Sequence, residues 1–167
     1  MLDFVDQNDT VIGQGTYTEA REQGTITRNA VIFVRDTRGR YILSRRAPEK
    51  KVWPNCVDVS CVGSVESGET YEEAAKRELA EELHLAAPLT FLKKAYTEFL
   101  VESTMHRFMT GFFLTTTGTL PKPNHEIAAL ERYTLEELKK AFHDHPEHFT
   151  PGLADDLRQV GHLLDEN

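Results

Sequence analysis

The sequence predicts an α+β domain in which a mixed sheet carries helices packed against it. Two observations lead there. Segments rich in β-branched and aromatic residues alternate with helical ones in the order strands, one helix, more strands, then helices. Helix starts are also marked by capping chemistry: Thr70 with Glu73, Thr134 with Glu137, and Thr150 before Pro151. At 167 residues, with 40% hydrophobic and 28% charged residues, the chain suits one folded unit. Residues 1–167 are read as one domain, with 1–27 an N-terminal extension and 134–167 the C-terminal helices.

The first 27 residues are polar, and only Asp9 to Gly13 suggests a short strand and turn. RNAVIFVRD, 28–36, reads as a buried strand, and RYILSRR returns from it across Thr37-Arg38-Gly39. APEKKVWPN, 47–55, is a basic loop, and CVDVSCV, 56–62, is again strand-like. A glycine-rich bend then leads into a helix from Thr70 to about His84. LTFLKKAYTEFL and MHRFMTGFFLTTT form an antiparallel pair joined around Val101 to Thr104. After a proline-bearing linker, IAALERY adds a strand, and two capped helices follow.

Charge and cysteine content narrow the functions. A net charge of −8 disfavours nucleic acid polymers as partners. A phosphate-bearing substrate would need a local basic patch or a bound cation. No run of residues is long and apolar enough for a membrane span, and no basic start with an apolar stretch marks a secretory signal. Cys56 and Cys61 lie five residues apart, which on a strand is roughly 16 Å with opposite facing, so they do not pair. Free thiols without a signal favour the cytoplasm.

Residues 63–85, GSVESGETYEEAAKRELAEELHL, hold seven glutamates. On a helical wheel, Glu78, Glu81 and Glu82 share one arc of about 100°, with Ala75, Leu79 and Leu83 just beside it. Glu82 thus falls at the edge of the core, where a carboxylate needs a partner. A hard divalent cation would serve, as would plain solvation if the face were open. The spacing weighs against chance. A glycine, five residues, a glutamate, seven residues, then R-E-x-x-E-E recurs at random on the order of once in ten million starts.

This stretch resembles the Nudix box, the signature of the Nudix hydrolase superfamily, with His84 standing where the family has glycine. The resemblance implies a Nudix fold, a mixed β-sheet core in an α-β-α layered sandwich, and Mg²⁺ or Mn²⁺ as cofactor. It implies metal ligation by Glu78, Glu81, Glu82 and the backbone carbonyl of Val62. Gly63, Glu69 and Arg77 would be structural, Glu69 pairing with Arg77. Histidine tolerates the left-handed conformation that the missing glycine would adopt, at some cost.

RRAPEKKVWP is similar to the branch that holds isopentenyl diphosphate isomerase and its hydrolase-like relatives. That match implies phosphate contacts by Arg46 and Lys50, with Arg28 a further candidate. Isomerase chemistry would need a cysteine and a histidine flanking the box glycine; Val62 and Ser64 stand there instead. It would also need a glutamate pair near Met105, His106 and Arg107, which is missing. The expected reaction is hydrolysis of a diphosphate linkage by metal-activated water, with Glu78 or Glu126 as catalytic base. Nucleoside di- or triphosphates or related derivatives are the expected substrates. An isomerase-like activity and a nucleotide-binding module without catalysis are the alternatives, and a homodimer is possible within this branch.

Overall fold

The computed structural model describes residues 1–166. In chain order it holds β1 (Leu2–Val5), β2 (Val11–Gly15), α1 (Tyr17–Gln23), β3 (Thr27–Asp36), β4 (Tyr41–Arg46), β5 (Val57–Asp58) and β6 (Cys61–Ser64). It continues with α2 (Tyr71–Leu83), β7 (Thr90–Val101), β8 (Thr104–Thr117), β9 (Ile127–Tyr133), α3 (Leu135–Asp144), a single 3₁₀ turn at Pro146–His148, and α4 (Pro151–Glu166).

β3 organises the molecule. Its ten residues pair in parallel with β8 from Thr27 to Asp36, and β8 pairs antiparallel with β7. Successive side chains on β3 point to opposite faces. Val31 and Phe33, with Phe112 and Leu114 of β8, pack under α3 and α4 through Leu138, Leu153, Val160 and Leu164. Ala30, Ile32 and Val34, with Phe113, pack under α2 through Ala74, Ala75, Leu79 and Leu83. The sheet therefore lies between helices on both faces, the α-β-α layering expected. Leu79 and Leu83 are at most 1% exposed, and burying each contributes about 1.5–3 kcal/mol.

The other edge of β3 changes partner midway. Asn29 to Ile32 pair with β6, whereas Val34 and Arg35 pair with β4. β4 then diverges to pair with β5 and β9. Between the two partners Ser60 fills the ladder: its hydroxyl accepts the Val34 N–H at 2.8 Å, and its carbonyl accepts the Ser44 hydroxyl at 2.7 Å. This is why residues 56–62, expected as one strand, form two short ones. The splayed strands leave a cleft between β4 and β6, facing α2.

The N-terminal segment is more ordered than its polarity suggested. β1 and β2 form a separate hairpin, turned by Asp6, whose Oδ1 accepts the N–H groups of Asn8 and Thr10 at 2.8 and 2.9 Å. α1 follows, closed by a Thr16–Glu19 capping box and by Gly24 at φ 65°. Among the described residues no helix is long and apolar enough to cross a membrane, and both cysteines are free.

Candidate active site

The frame of the site is α2, and its ends are fixed chemically. At the start, the Thr70 hydroxyl accepts the Glu73 N–H at 3.2 Å while Glu73 accepts the Thr70 N–H at 2.8 Å. At the end, His84 adopts φ 51° and ψ 40°, the left-handed cap position. Its ring Nδ1 lies 2.7 Å from the Lys122 carbonyl. The linker after β8 closes over the same terminus: the N–H groups of Lys122 and Asn124 donate to Leu83 and Glu82 carbonyls, both at 2.9 Å. Carbonyls that a helix end leaves open are thereby satisfied.

Arg77 is the hub of the glutamate cluster. Its Nε and Nη2 donate as a fork to Glu69 at 2.8 and 2.9 Å, and Nη2 also reaches the Ser64 carbonyl at 2.9 Å. Its Nη1 donates to Glu78 at 2.6 Å and lies 3.6 Å from Glu81. Hydrogen bonding to Glu69 raises the Arg77 pKa, and the same bond holds Glu69 below the usual carboxylate range.

Glu78 folds over Gly63. A Cβ placed on Gly63 would lie 1.9 Å from the Glu78 carboxyl carbon, so only glycine leaves room for that carboxylate. Burial, against the pull of Arg77, raises the Glu78 pKa. Glu82 is deeper. Burial first, with Glu78 and Glu126 adding repulsion, pushes it up to about 7, although the Cys61 thiol and the Val62 N–H donate to it. Glu81 stays on the rim, with its side chain 60% exposed. Among the described residues the three box carboxylates do not converge to mutual ligand distance, and two of them, Glu78 and Glu81, face Arg77.

Opposite Glu82, the cleft of about 130 Å³ is lined by Arg46, Lys50, Val62, Glu126 and Asp58. Lys50 pairs with Glu126, and that hydrogen bond lowers the Glu126 pKa. Arg46 spans two sides, with Nε 3.1 Å from the Val52 carbonyl and Nη1 3.5 Å from Asp58. Arg28 is not brought here. It donates to Asp9 through Nε at 2.6 Å and lies 3.4 Å from Asp3, tying the N-terminal hairpin to the sheet. In this structure the Arg28 guanidinium is engaged by the two acids, with the Tyr71 ring 5.9 Å from it.

A second cavity of about 350 Å³ opens from the first past Arg46, Val62 and Gly63. Trp53, Phe99, Phe108 and Tyr17 wall it, and the Trp53 and Phe99 rings lie 5.8 Å apart. Trp53, Phe99 and Phe108 present rings to this cavity, whereas Tyr96 is not among its wall residues. Tyr17 and His106, whose OH and Nδ1 lie 2.8 Å apart, escape sequence reasoning. The one signal for Tyr17 was the Thr16–Glu19 capping box. Asp58 also escapes it, since a lone acid in a strand carries no motif.

The residues fit a hard divalent cation. Glu82, raised to about 7 by burial, receives hydrogen bonds from two neutral donors and is repelled by Glu78 and Glu126, a carboxylate that a hard cation would stabilise. A carboxylate helix over a split mixed sheet, with a basic strand opposite, defines a Nudix-type chain. The NUDIX domain model matches residues 25–153, and the chain belongs to that family. It is 40% identical over 115 residues to an uncharacterized Nudix hydrolase of Nostoc, covering 68% of this chain and 65% of that protein, slightly under two thirds of its length. It is 35% identical to a Nudix hydrolase of Deinococcus radiodurans, over 82% of this chain and 80% of that one. A crystal structure from Deinococcus radiodurans superposes with a TM-score of 0.76 at 30% identity, covering 95% of this chain and 97% of that one. At 27% identity, a Methanosarcina mazei protein named prenyl-diphosphate phosphatase aligns over 96% of this chain and 94% of its own length.

Proposed function

We propose that this chain hydrolyses a diphosphate linkage in nucleoside di- or triphosphates or related nucleoside diphosphate derivatives, with Mg²⁺ or Mn²⁺. The observation that carries the reading is one cleft holding a buried carboxylate, Glu82, and two cationic side chains, Arg46 and Lys50. Glu78, Glu81, Glu82 and the Val62 carbonyl are the groups that would hold the metal. Once bound, the metal neutralises phosphate charge and lowers the pKa of water.

The chain's own groups divide the remaining work. Arg46 offers its guanidinium edge to phosphate oxygens, and Lys50 a point charge. A phosphate that engages Lys50 competes for the partner of Glu126, whose pKa that partner holds down. Glu126 becomes more basic as substrate binds, and it accepts the proton of the attacking water. Glu78 is occupied by Arg77 and Gly63, which suits holding rather than proton transfer. The free thiols Cys56 and Cys61 support a cytoplasmic setting.

A second reading has specific support. The aromatic cavity beside the cleft, together with the name of the Methanosarcina relative, favours a prenyl diphosphate as substrate. Phosphate release measured with Mg²⁺ on nucleotides and prenyl diphosphates separates the two. Glu82→Gln should lower turnover at least 100-fold and abolish the calorimetric heat of Mn²⁺ binding, with circular dichroism unchanged. Unchanged turnover in that variant refutes the metal site, and tight nucleotide binding without release in the wild-type chain makes it a binding module instead.

A further inference from the structure

The connection between α3 and α4 reads FHDHPEHF, 142–149, and holds three of the seven histidines of the chain within six residues. None of the groups assigned to the cleft lies in it. Among the described residues, this is where histidine and carboxylate ligand atoms all come within 4.8 Å of one another, on His145, Glu147 and His148. The Nδ1 of His145 lies 3.2 Å from Glu147 Oε1, and the Nε2 of His148 lies 3.6 Å from the same oxygen.

The backbone explains why the three meet. Pro146 opens the 3₁₀ turn Pro146–His148, and its ring fixes φ where the chain leaves α3. The His148 N–H donates to the His145 carbonyl at 3.0 Å. Residues three apart eclipse in such a turn, and the two imidazoles stack with centroids 4.9 Å apart and planes 15° from parallel. The turn is also held from both sides. The His145 N–H donates to Ala141 of α3, and the Thr150 N–H to the Val57 carbonyl, each at 2.9 Å. Buried Phe149 packs on Phe142 with ring centroids 5.3 Å apart, and the Cys56 thiol donates to the Glu147 carbonyl at 3.8 Å. The three side chains themselves are 60 to 65% exposed, so an ion reaches them from solvent.

A surface ion pair alone accounts for only part of this arrangement. Glu147 hydrogen-bonds His145, whereas His148 stands at 3.6 Å, outside hydrogen-bond reach. Two ligands of a tetrahedral ion with bonds of about 2.1 Å stand about 3.4 Å apart. The separations of 3.2 and 3.6 Å bracket that value, and the two ring nitrogens, within 4.8 Å, close on an ion by side-chain rotation. Two imidazole nitrogens with one carboxylate oxygen suit a borderline ion such as Zn²⁺, Ni²⁺ or Cu²⁺ rather than the hard cation of the cleft.

We propose that His145, Glu147 and His148 form a second metal site, separate from the carboxylate cleft, which takes a borderline divalent ion of the zinc class and clips the α3–α4 connection. Water fills the remaining coordination positions. The folded turn presents the three ligands together, so ion binding favours the folded chain. α3 and α4 carry Leu138, Leu153 and Val160 onto the sheet, and the clip therefore stabilises the layer opposite α2.

The test is calorimetry with Zn²⁺ on the full chain in millimolar Mg²⁺, comparing wild type, His145→Gln/His148→Gln and Glu82→Gln. Wild type should bind Zn²⁺ here with a Kd on the order of micromolar, weaker than a complete four-ligand structural zinc site. Glu82→Gln, which takes the deepest carboxylate from the cleft, should keep that event. The histidine variant should weaken it at least about 10-fold, since a ligand counts for no less than the outer groups that orient ligands. Zn²⁺ at about 100 times Kd should raise the wild-type Tm by roughly 5–10 °C and leave the histidine variant unmoved. Without Zn²⁺ that variant should melt within about 2 °C of wild type, because the substituted side chains are exposed. Neither readout needs turnover, so failure here is distinct from failure of the hydrolase reading.

A Zn²⁺ heat that vanishes in Glu82→Gln and survives in the histidine variant puts the ion in the cleft and overturns the proposal. Equal heats in all three chains overturn it too. So does a wild-type Kd in the millimolar range, which would mean an adventitious ion only. A wild-type Tm that Zn²⁺ does not raise overturns the clip.

Discussion

At the scale of single residues, glycine and glutamate in the site are coupled by space. Gly63 has no side chain where Glu78 lies, and the contact a methyl would make, 1.9 Å, falls on the carboxyl carbon. Gly63→Ala must push Glu78 off Arg77 or move the strand. Overpacking of this kind costs about 1–3 kcal/mol, so the melting temperature should fall by roughly 2–10 °C. Turnover should fall further than that loss explains, by at least 10-fold at a temperature where the variant is fully folded. A variant with normal kcat would show that the Glu78 position is not needed. The glycine, Glu69 and Arg77 were legible in the sequence as fixed offsets, because a loop held to a helix demands fixed spacing. Asp58 was not, because an acid in a strand reaches Arg46 only through the fold.

At the scale of elements, the helix ends were readable and the strand interruptions were not. Thr70 with Glu73 and Thr134 with Glu137 cap helices as their sequence pattern demands. The split of residues 56–62 depended on Ser60 bonding to β3 and β4, a non-local event. The end of α2 joins both kinds of information. His84 fills a position that glycine occupies more easily, by about 1 kcal/mol, yet its ring holds the Lys122 carbonyl at 2.7 Å, a bond contributing about as much. Through Asn124, which accepts the Glu126 N–H at 2.9 Å, that linker positions Glu126. His84→Gly should therefore leave the melting temperature within about 3 °C. Amide exchange at Lys122 and Asn124 should accelerate, and kcat should drop several-fold while KM changes less. Unchanged exchange at those two amides would remove the latch from the account.

At the scale of the whole molecule, Asp9 is one of the acids that tie the N-terminal hairpin to the sheet. Asp9 accepts Arg28 Nε and Lys94 Nζ, each at 2.6 Å, and the Tyr71 hydroxyl at 3.1 Å. Burial opposes its ionisation, but the hydrogen bonds from Lys94 and Arg28 prevail and its pKa is lowered. A depressed carboxylate stabilises the fold above its unfolded value of 3.8, and that contribution is lost as pH falls through the folded value. Asp9 sits at φ 64°, a conformation that asparagine also accepts readily. Asp9→Asn thus removes charge without backbone strain and leaves Arg28 only partly paired. Stability at pH 7 should fall by about 2–3 kcal/mol, less than for a fully buried pair because Lys94 is exposed. The acid limb of the stability curve below about pH 4 should become shallower in the same variant. The hairpin leads directly into α1, and α1 supplies Tyr17 and Arg21 to the wall of the aromatic cavity. Loosening Asp9 should therefore raise KM for nucleotide substrates more than it lowers kcat, although the residue touches no part of the cleft. Chemical denaturation across pH 3–8, with steady-state kinetics at pH 7, reads both effects; a KM equal to that of the wild-type chain would uncouple the hairpin from the cavity.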